Sequence, residues 1–166
     1  MDVQRITTKA ERQIEAIAHT LAAVKGAHDG QKWIWLSDAK VRGAFTGNQG
    51  GKTATGAIDV VLRVLEMHPV ECRNRNSFSI RCTSRALPLS DQDEANTQYP
   101  EIKKWLPHEV IERDITAREQ RMILRVHGQR KTIEFMSAKQ DVDAFGGKQR
   151  DMSWEDEEVQ QEIHEE

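Results

Sequence analysis

The sequence predicts an α/β fold, a largely parallel central sheet with helices on both faces. Three observations predict it. Val41-Arg42-Gly43-Ala44-Phe45 reads as a short strand that runs into a glycine-rich turn. From Thr53 onward, Ile58, Val61, Leu62 and Leu65 recur at helical spacing. Further strand-like stretches follow at Phe78–Thr83, Met122–Val126 and Thr132–Met136, with a helix signal between the first two and a turn between the last two. Strands alternating with helices bury both faces of a sheet, which is the layered α/β solution.

The chain of 166 residues is expected to be one domain, long enough for a sizeable core. Hydrophobic residues make up 37% and charged residues 31%, the balance of a polar globular chain. No apolar run reaches the ~18 residues of a membrane span. The opening Met1-Asp2-Val3-Gln4-Arg5 lacks the apolar stretch of a secretory signal. Cys72 and Cys82 make neither a disulfide framework nor a zinc site, so a reducing, cytoplasmic setting is expected. The formal net charge of −3 argues against nucleic-acid binding through global charge. Arg73, Arg75, Arg81 and Arg85 leave a local basic face open, beside the commoner reading of a solvated surface.

Thr8-Lys9-Ala10-Glu11 is a capping-box pattern that starts a helix carrying Ile14, Ile17, Ala18 and Leu21, with Gly26 as its stop. Gln31-Lys32-Trp33-Ile34-Trp35-Leu36 follows. Gln13 and Gln31 are candidates to touch an adenine, or are surface glutamines beside core tryptophans.

Thr46-Gly47-Asn48-Gln49-Gly50-Gly51-Lys52-Thr53 matches the tail of the Walker A pattern, G-x-x-x-x-G-K-[ST]. Thr46 stands where the first glycine belongs. Glycines let the backbone curl so that successive N–H groups point at phosphate oxygens, and the helix N-terminus adds partial positive charge. Gly47, Asn48, Gln49, Gly50, Gly51, Lys52 and Thr53 are therefore the candidate nucleotide-binding residues. Lys52 would reach the β- and γ-phosphates, and the Thr53 hydroxyl would bind Mg²⁺. The competing reading is a glycine-rich turn before an amphipathic helix, with Lys52 solvated.

His68-Pro69 is expected to end that helix, because proline disfavours helical geometry in the residue before it. Arg73 to Asn76 reads as a loop and Phe78–Thr83 as a strand. Tyr99-Pro100-Glu101 starts a short helix, closed by Pro107, with Trp105 and Leu106 on its buried side. The strand Met122–Val126 turns through His127-Gly128-Gln129-Arg130 and returns as Thr132–Met136. Ser137-Ala138-Lys139-Gln140 is a second capping box, opening a short helix that Gly146-Gly147 ends.

Asp151-Met152-Ser153-Trp154-Glu155-Asp156-Glu157-Glu158-Val159 has the form of a Walker B element, a strand ending in a metal-holding acid and a following glutamate. Asp156 would hold Mg²⁺ and Glu157 would polarise the attacking water. Ser153 and Glu155 interrupt the apolar run of a buried strand. The alternative is an acidic terminal helix, since Glu162, Glu165 and Glu166 follow.

Three segments resemble the N-terminal ATPase half of a phage terminase large subunit. They are Phe45 to Thr53, Thr132 to Ser137, and Asp143-Ala144-Phe145-Gly146-Gly147 through Glu158. The resemblance implies a P-loop NTPase fold of the ASCE/RecA-like kind, incomplete at the C-terminus, over residues 1–166. It implies ATP and Mg²⁺ as cofactors, with Lys52 and Glu157 catalytic and Thr53 and Asp156 at the metal. It implies ATP hydrolysis that drives double-stranded DNA into a capsid. The partners would be DNA, the portal protein, a small terminase subunit and copies of the chain in a ring, in the cytoplasm of a host cell, with no membrane. Two departures stand out. Many terminases carry an arginine inside the loop, whereas Asn48 and Gln49 carry no charge. An arginine finger would have to come from elsewhere. The chain also stops ten residues after Asp156, so it is expected to be a fragment without the nuclease domain and with weak or absent turnover. A helicase-like motor and a nucleotide-binding module without turnover are the rival readings.

Overall fold

The structure, a computed structural model, describes residues 25–37, 39–44, 51–68, 77–89, 96–140 and 150–156. The chain divides into two units, Met1–Asn74 with Glu101–Val110, and Arg75–Pro100 with Ile111–Glu166. The expected helix before Gly26, the capped helix after Gln140 and the loop Arg73 to Asn76 lie outside the described residues.

Among the described residues, two complete α-helices lie wholly within the first unit. Helix α1, Asp29–Leu36, is capped by His28. The His28 side chain accepts from the Gln31 N–H, and the Gln31 side-chain oxygen accepts from the His28 N–H. These reciprocal bonds satisfy two donors that a helix start leaves open. Trp35 is buried, and its indole N–H donates to the Thr55 carbonyl at 3.1 Å. Trp33 faces out at 62% exposure, so one of the two tryptophans is core.

Helix α2, Lys52–Val64, starts at the residue the motif requires. Ile58, Val61, Leu62 and Leu65 are all buried, as their spacing predicts. Ala57, Val60 and Val64 are buried too, and so are the charged Asp59 and Arg63. From Ala57 the helix is enclosed on all sides rather than along one stripe. Ala27, Trp35, Ile58 and Leu62 form an apolar cluster, against which Ile34, Met67 and Trp105 pack. The helix ends before His68-Pro69. Leu65 caps it and Glu66 turns left-handed at φ 61°.

The expected strand over Val41–Phe45 is not formed across 41–44, and Phe45 lies outside the described residues. Val41 is 90% exposed. Arg42 instead turns its side chain to the Ile34 carbonyl and to Asp59. Among the described residues no ladder partner draws this segment into a sheet.

The second unit contains a five-stranded sheet among the described residues, ordered β2-β3-β4-β1-β5. The strands are β1 Ser77–Ser84, β2 Ile111–Arg113, β3 Arg121–Val126, β4 Gln129–Ser137 and β5 Met152–Glu155. β1 runs parallel to both β4 and β5, while β2, β3 and β4 are antiparallel neighbours. The chain is thus mixed α/β, with a sheet parallel at its centre and antiparallel at one side. The hairpin explains the mixture. His127 and Gly128, at φ 49° and 78°, turn β3 into β4 over two residues, and only antiparallel strands close so tightly.

Alternation sorts the sheet into two faces. Ile80, Cys82, Met122, Leu124, Ile133 and Phe135 share the buried face. Arg121, Glu134, Arg81 and Ser153 form a cross-strand row on the other. Helix α3, Gln98–Trp105, carries Pro100 in its first turn and ends before Pro107. Tyr99 meets Phe135 edge-on, with ring centroids 5.6 Å apart. Leu106 is buried and Trp105 half-buried. After β4 the Gln140 side chain accepts from the Ser137 N–H, one half of the expected capping box. No helix among the described residues is long and apolar enough to cross a membrane.

Candidate functional site

The candidate loop meets the described residues at Gly51. Its φ of 70° and ψ of 21° are left-handed, a conformation that glycine adopts without the steric cost of a Cβ. A Cβ there would stand 3.0 Å from the Gln31 amide nitrogen. Gly51 is the N-cap of α2 and brings no side-chain oxygen to that end of the helix. Its carbonyl accepts from the Thr55 N–H at 2.9 Å and the Thr55 hydroxyl at 2.8 Å, which starts the helix firmly. Lys52 is exposed and Thr53 half-buried, both in the first turn. Gly47, Asn48, Gln49 and Gly50 lie outside the described residues.

Gln31 sits beside this helix start. Its amide donates to the Thr55 hydroxyl at 3.0 Å while its oxygen serves the cap of α1. Both ends of the side chain therefore brace α1 and the first turn of α2. Gln13 lies outside the described residues.

Behind the helix start lies a buried ionic cluster that the sequence reading did not identify. Asp59 Oδ1 accepts from Arg63 Nε at 3.2 Å and stands 2.9 Å from His68 Nε2. Asp59 Oδ2 accepts from Arg42 Nη2 at 3.2 Å. The Arg42 Nη1 donates to the Ile34 carbonyl at 2.7 Å, on the last turn of α1. The Asp59 side chain is 5% exposed, and that of His68 is fully buried. Burial alone pushes the Asp59 carboxyl up, but the His68 hydrogen bond and the charges of Arg63 and Arg42 outweigh it. The carboxyl is held below the usual carboxylate range. The signal in the sequence was Asp59 and Arg63 four apart inside an apolar helix run. Such charges are rarely buried unless paired. Arg42 and His68 are held by tertiary structure and carry no local mark.

The candidate metal-holding acid belongs to the second unit. β5 is a strand and Asp156 follows it directly, but it is the last strand in the sheet order among the described residues and is not buried, as a Walker B strand would be. The Asp156 N–H donates to the Thr83 carbonyl at 3.0 Å, and its carboxylate accepts from the Thr97 hydroxyl at 3.1 Å. The Gln98 side chain donates to the carbonyls of Thr83 and Trp154, bracing the ends of β1 and β5. Along β5, half-buried and exposed residues alternate, with Ser153 and Glu155 outward. Two-face alternation is what the interrupted apolar run foretells. Glu157 and Glu158 lie outside the described residues. No group of three or more His, Cys, Asp or Glu side chains able to hold a metal occurs among the described residues.

Of the four arginines that left a basic face open beside a solvated surface, two are described. Arg85 is exposed, and Arg73 and Arg75 lie outside the described residues. Arg81 joins a different set, in register with Glu134. Glu134 takes Arg121 at 2.9 Å on one oxygen and Arg150 on the other. Burial, then the neighbouring Arg150 charge, lower the Arg81 pKa, and Glu134 partly offsets this. Cys82 is enclosed in the core, and burial pushes its thiol up, which leaves it chemically quiet.

Comparison of the chain with protein-family models, with curated proteins and with solved structures gives no match.

Proposed function

We propose that this chain is the nucleotide-binding part of an ATP-driven, terminase-type DNA-packaging motor with a P-loop NTPase fold. The observation that carries the reading is the left-handed Gly51 directly before a helix that opens with Lys52-Thr53. Gly51 adds no side chain of its own at the helix start, where the Gln31 amide stands close by, and helix starts favour anions. Gly51, Lys52 and Thr53 are the residue types that a bound nucleotide phosphate would need at a helix start. A Mg²⁺-bound triphosphate would supply the reactive phosphoryl group and a charge-neutralising metal.

In this reading the backbone N–H groups of Gly47 to Gly51 would be the ones to bind the phosphates, Lys52 would supply the cation and Thr53 an oxygen for the metal. The resemblance assigns a further metal oxygen to Asp156 of the second unit and the orienting of the attacking water to Glu157. Double-stranded DNA, the portal, a small terminase subunit and neighbouring copies in a ring are the partners, and they rest on the resemblance of the three segments alone. A trans-acting cation from such a neighbour can raise phosphoryl-transfer rates by ~10³–10⁵. The isolated chain is therefore expected to turn over slowly.

Calorimetry with Mg-ATP tests the reading. The wild type should bind, and Lys52→Ala should weaken binding severely. Equal affinity for the two would sink the loop assignment. Phosphate release, measured with and without duplex DNA, separates a motor ATPase from a binder. Brisk release by the isolated chain without DNA would contradict the dependence on assembly.

A further inference from the structure

We infer that Thr97 and Gln98 complete a site for a hydrated divalent cation around Asp156, at the carboxyl ends of β1 and β5, resting on the metal role proposed for Asp156. All three residues belong to the second unit. Among the parallel strands the order is β4-β1-β5, so the chain passes from β1 to one side and comes back to the other. In open α/β sheets, ligands lie outside the carboxyl ends of the strands, where the strand order reverses. Here the order reverses between β1 and β5.

Hydrogen bonds bring the three residues to that point. Gln98 Nε2 donates to the Thr83 carbonyl and to the Trp154 carbonyl, at 3.2 Å each, and so bridges the two strand ends. The Asp156 N–H donates to the same Thr83 carbonyl at 3.0 Å. The Thr97 hydroxyl donates to Asp156 Oδ2 at 3.1 Å, which fixes the rotation of the carboxylate. Groups that hydrogen-bond a metal-holding carboxylate in this way orient it for the ion.

The observation that points to a ligand is the Gln98 oxygen. Gln98 is fully buried, and its Oε1 has no hydrogen-bond partner. A buried acceptor left unsatisfied costs free energy, and native structures keep few of them. The nitrogen of the same planar amide is held by both strand ends, so the oxygen stays beside them. A carboxylate, an amide oxygen and a hydroxyl are hard oxygen donors, the set that suits Mg²⁺. With a single acid among them, they fit an ion that keeps several of its waters and is otherwise bound through a substrate phosphate. Asp156 supplies the charge, Thr97 orients it, and Gln98 Oε1 accepts from the water shell of the ion.

The test measures Mn²⁺ binding to the full chain by electron paramagnetic resonance, without nucleotide and with Mg²⁺ as competitor. Urea unfolding of each variant runs beside it. Asp156→Asn should abolish binding. Thr97→Val should weaken it ~10-fold or more, the scale for a group that orients a metal ligand, and Thr97→Ser should restore it. Thr97 is exposed, so both variants should keep wild-type stability. Gln98→Glu removes the amide donors and adds a charge. It should lower stability yet tighten Mn²⁺ binding, an outcome that a mere tie between strands does not produce. Wild-type affinity in Thr97→Val overturns the inference. Weaker binding in Gln98→Glu also overturns it, because Gln98 would then only join the strand ends. Equal Mn²⁺ binding by the wild type and Asp156→Asn instead removes the metal role of Asp156 itself, and the site proposed around it.

Discussion

Asp59 and Glu134 are two versions of one device, a carboxylate held by two arginines, in different settings. Asp59 sits within an enclosed helix and adds a fully buried histidine. Glu134 sits on the polar face of a sheet, and its partner Arg121 keeps 37% of its side chain exposed. In both, burial pushes the carboxyl up and hydrogen-bonded partners reverse it. For Glu134 those partners are Arg121 and Arg150, and the net direction is again downward. Similar pKa directions therefore arise at unequal depth. What differs is the fate of the cations once the acid is gone. Water can solvate Arg121, whereas the Arg63 charge would stay buried without its carboxylate.

The largest expected effect follows from that difference. Asp59→Ala should destabilise the protein by ~3–5 kcal/mol, the scale of an uncompensated buried charge, read by urea unfolding. A loss near that of Glu134→Ala would break the comparison.

The second effect concerns acid. The folded pKa of Asp59 lies below its unfolded value, so its contribution is complete above about pH 4. It is lost as pH falls through the folded value. Glu134 has the same sign with a more exposed partner. Unfolding curves between about pH 2 and pH 6 should show a steep acid limb in the wild type. Asp59→Ala should flatten that limb more than Glu134→Ala does. Equal flattening would mean that depth does not matter here.

Glu134→Ala itself should cost about 1 kcal/mol, near the upper end for partly exposed pairs. The smallest effect is that of salt. Raising ionic strength from about 0.05 M to about 0.5 M should shrink the Glu134 contribution by a few tenths of a kcal/mol. The Asp59 contribution should stay unchanged, since solvent ions do not enter its site. A salt response at Asp59 would show that its cluster opens to water.

Legibility in the sequence followed the range of the interaction. β3 and β4 were readable because Met122 to Met136 alternates around His127-Gly128, a local signal with a local cause. The start of α2 was readable because Gly51-Lys52-Thr53 combines a permissive backbone with apolar residues at helical spacing. α1 was not, because its cap is a histidine rather than the usual Ser, Thr, Asp or Asn. Val41–Phe45 reads as a strand from Val41 and Phe45, but Arg42 is drawn inward by Asp59, a partner seventeen residues away. The mixed sheet was half legible. The tight turn implies antiparallel neighbours, while only tertiary pairing makes β1 a parallel partner of β4 and β5. Among the candidate residues, Gly51 and the strand before Asp156 were legible, and the ionic cluster around Asp59 was not.

The two-residue turn at His127-Gly128 has a consequence for the order in which the sheet assembles. β3 and β4 need close almost no loop, so their pairing can form in ~1–10 µs. β1 reaches β4, and β5 reaches β1, only after long intervening chain has been drawn together, and those contacts wait on loop-closure entropy. The hairpin is then the surface on which β1 is laid down in parallel, and β1 in turn receives β5. In pulse-labelled refolding, amides of 121–137 should gain protection first and those of 152–155 last. The strand that leads into Asp156 would thus be the last part of the sheet to acquire its place.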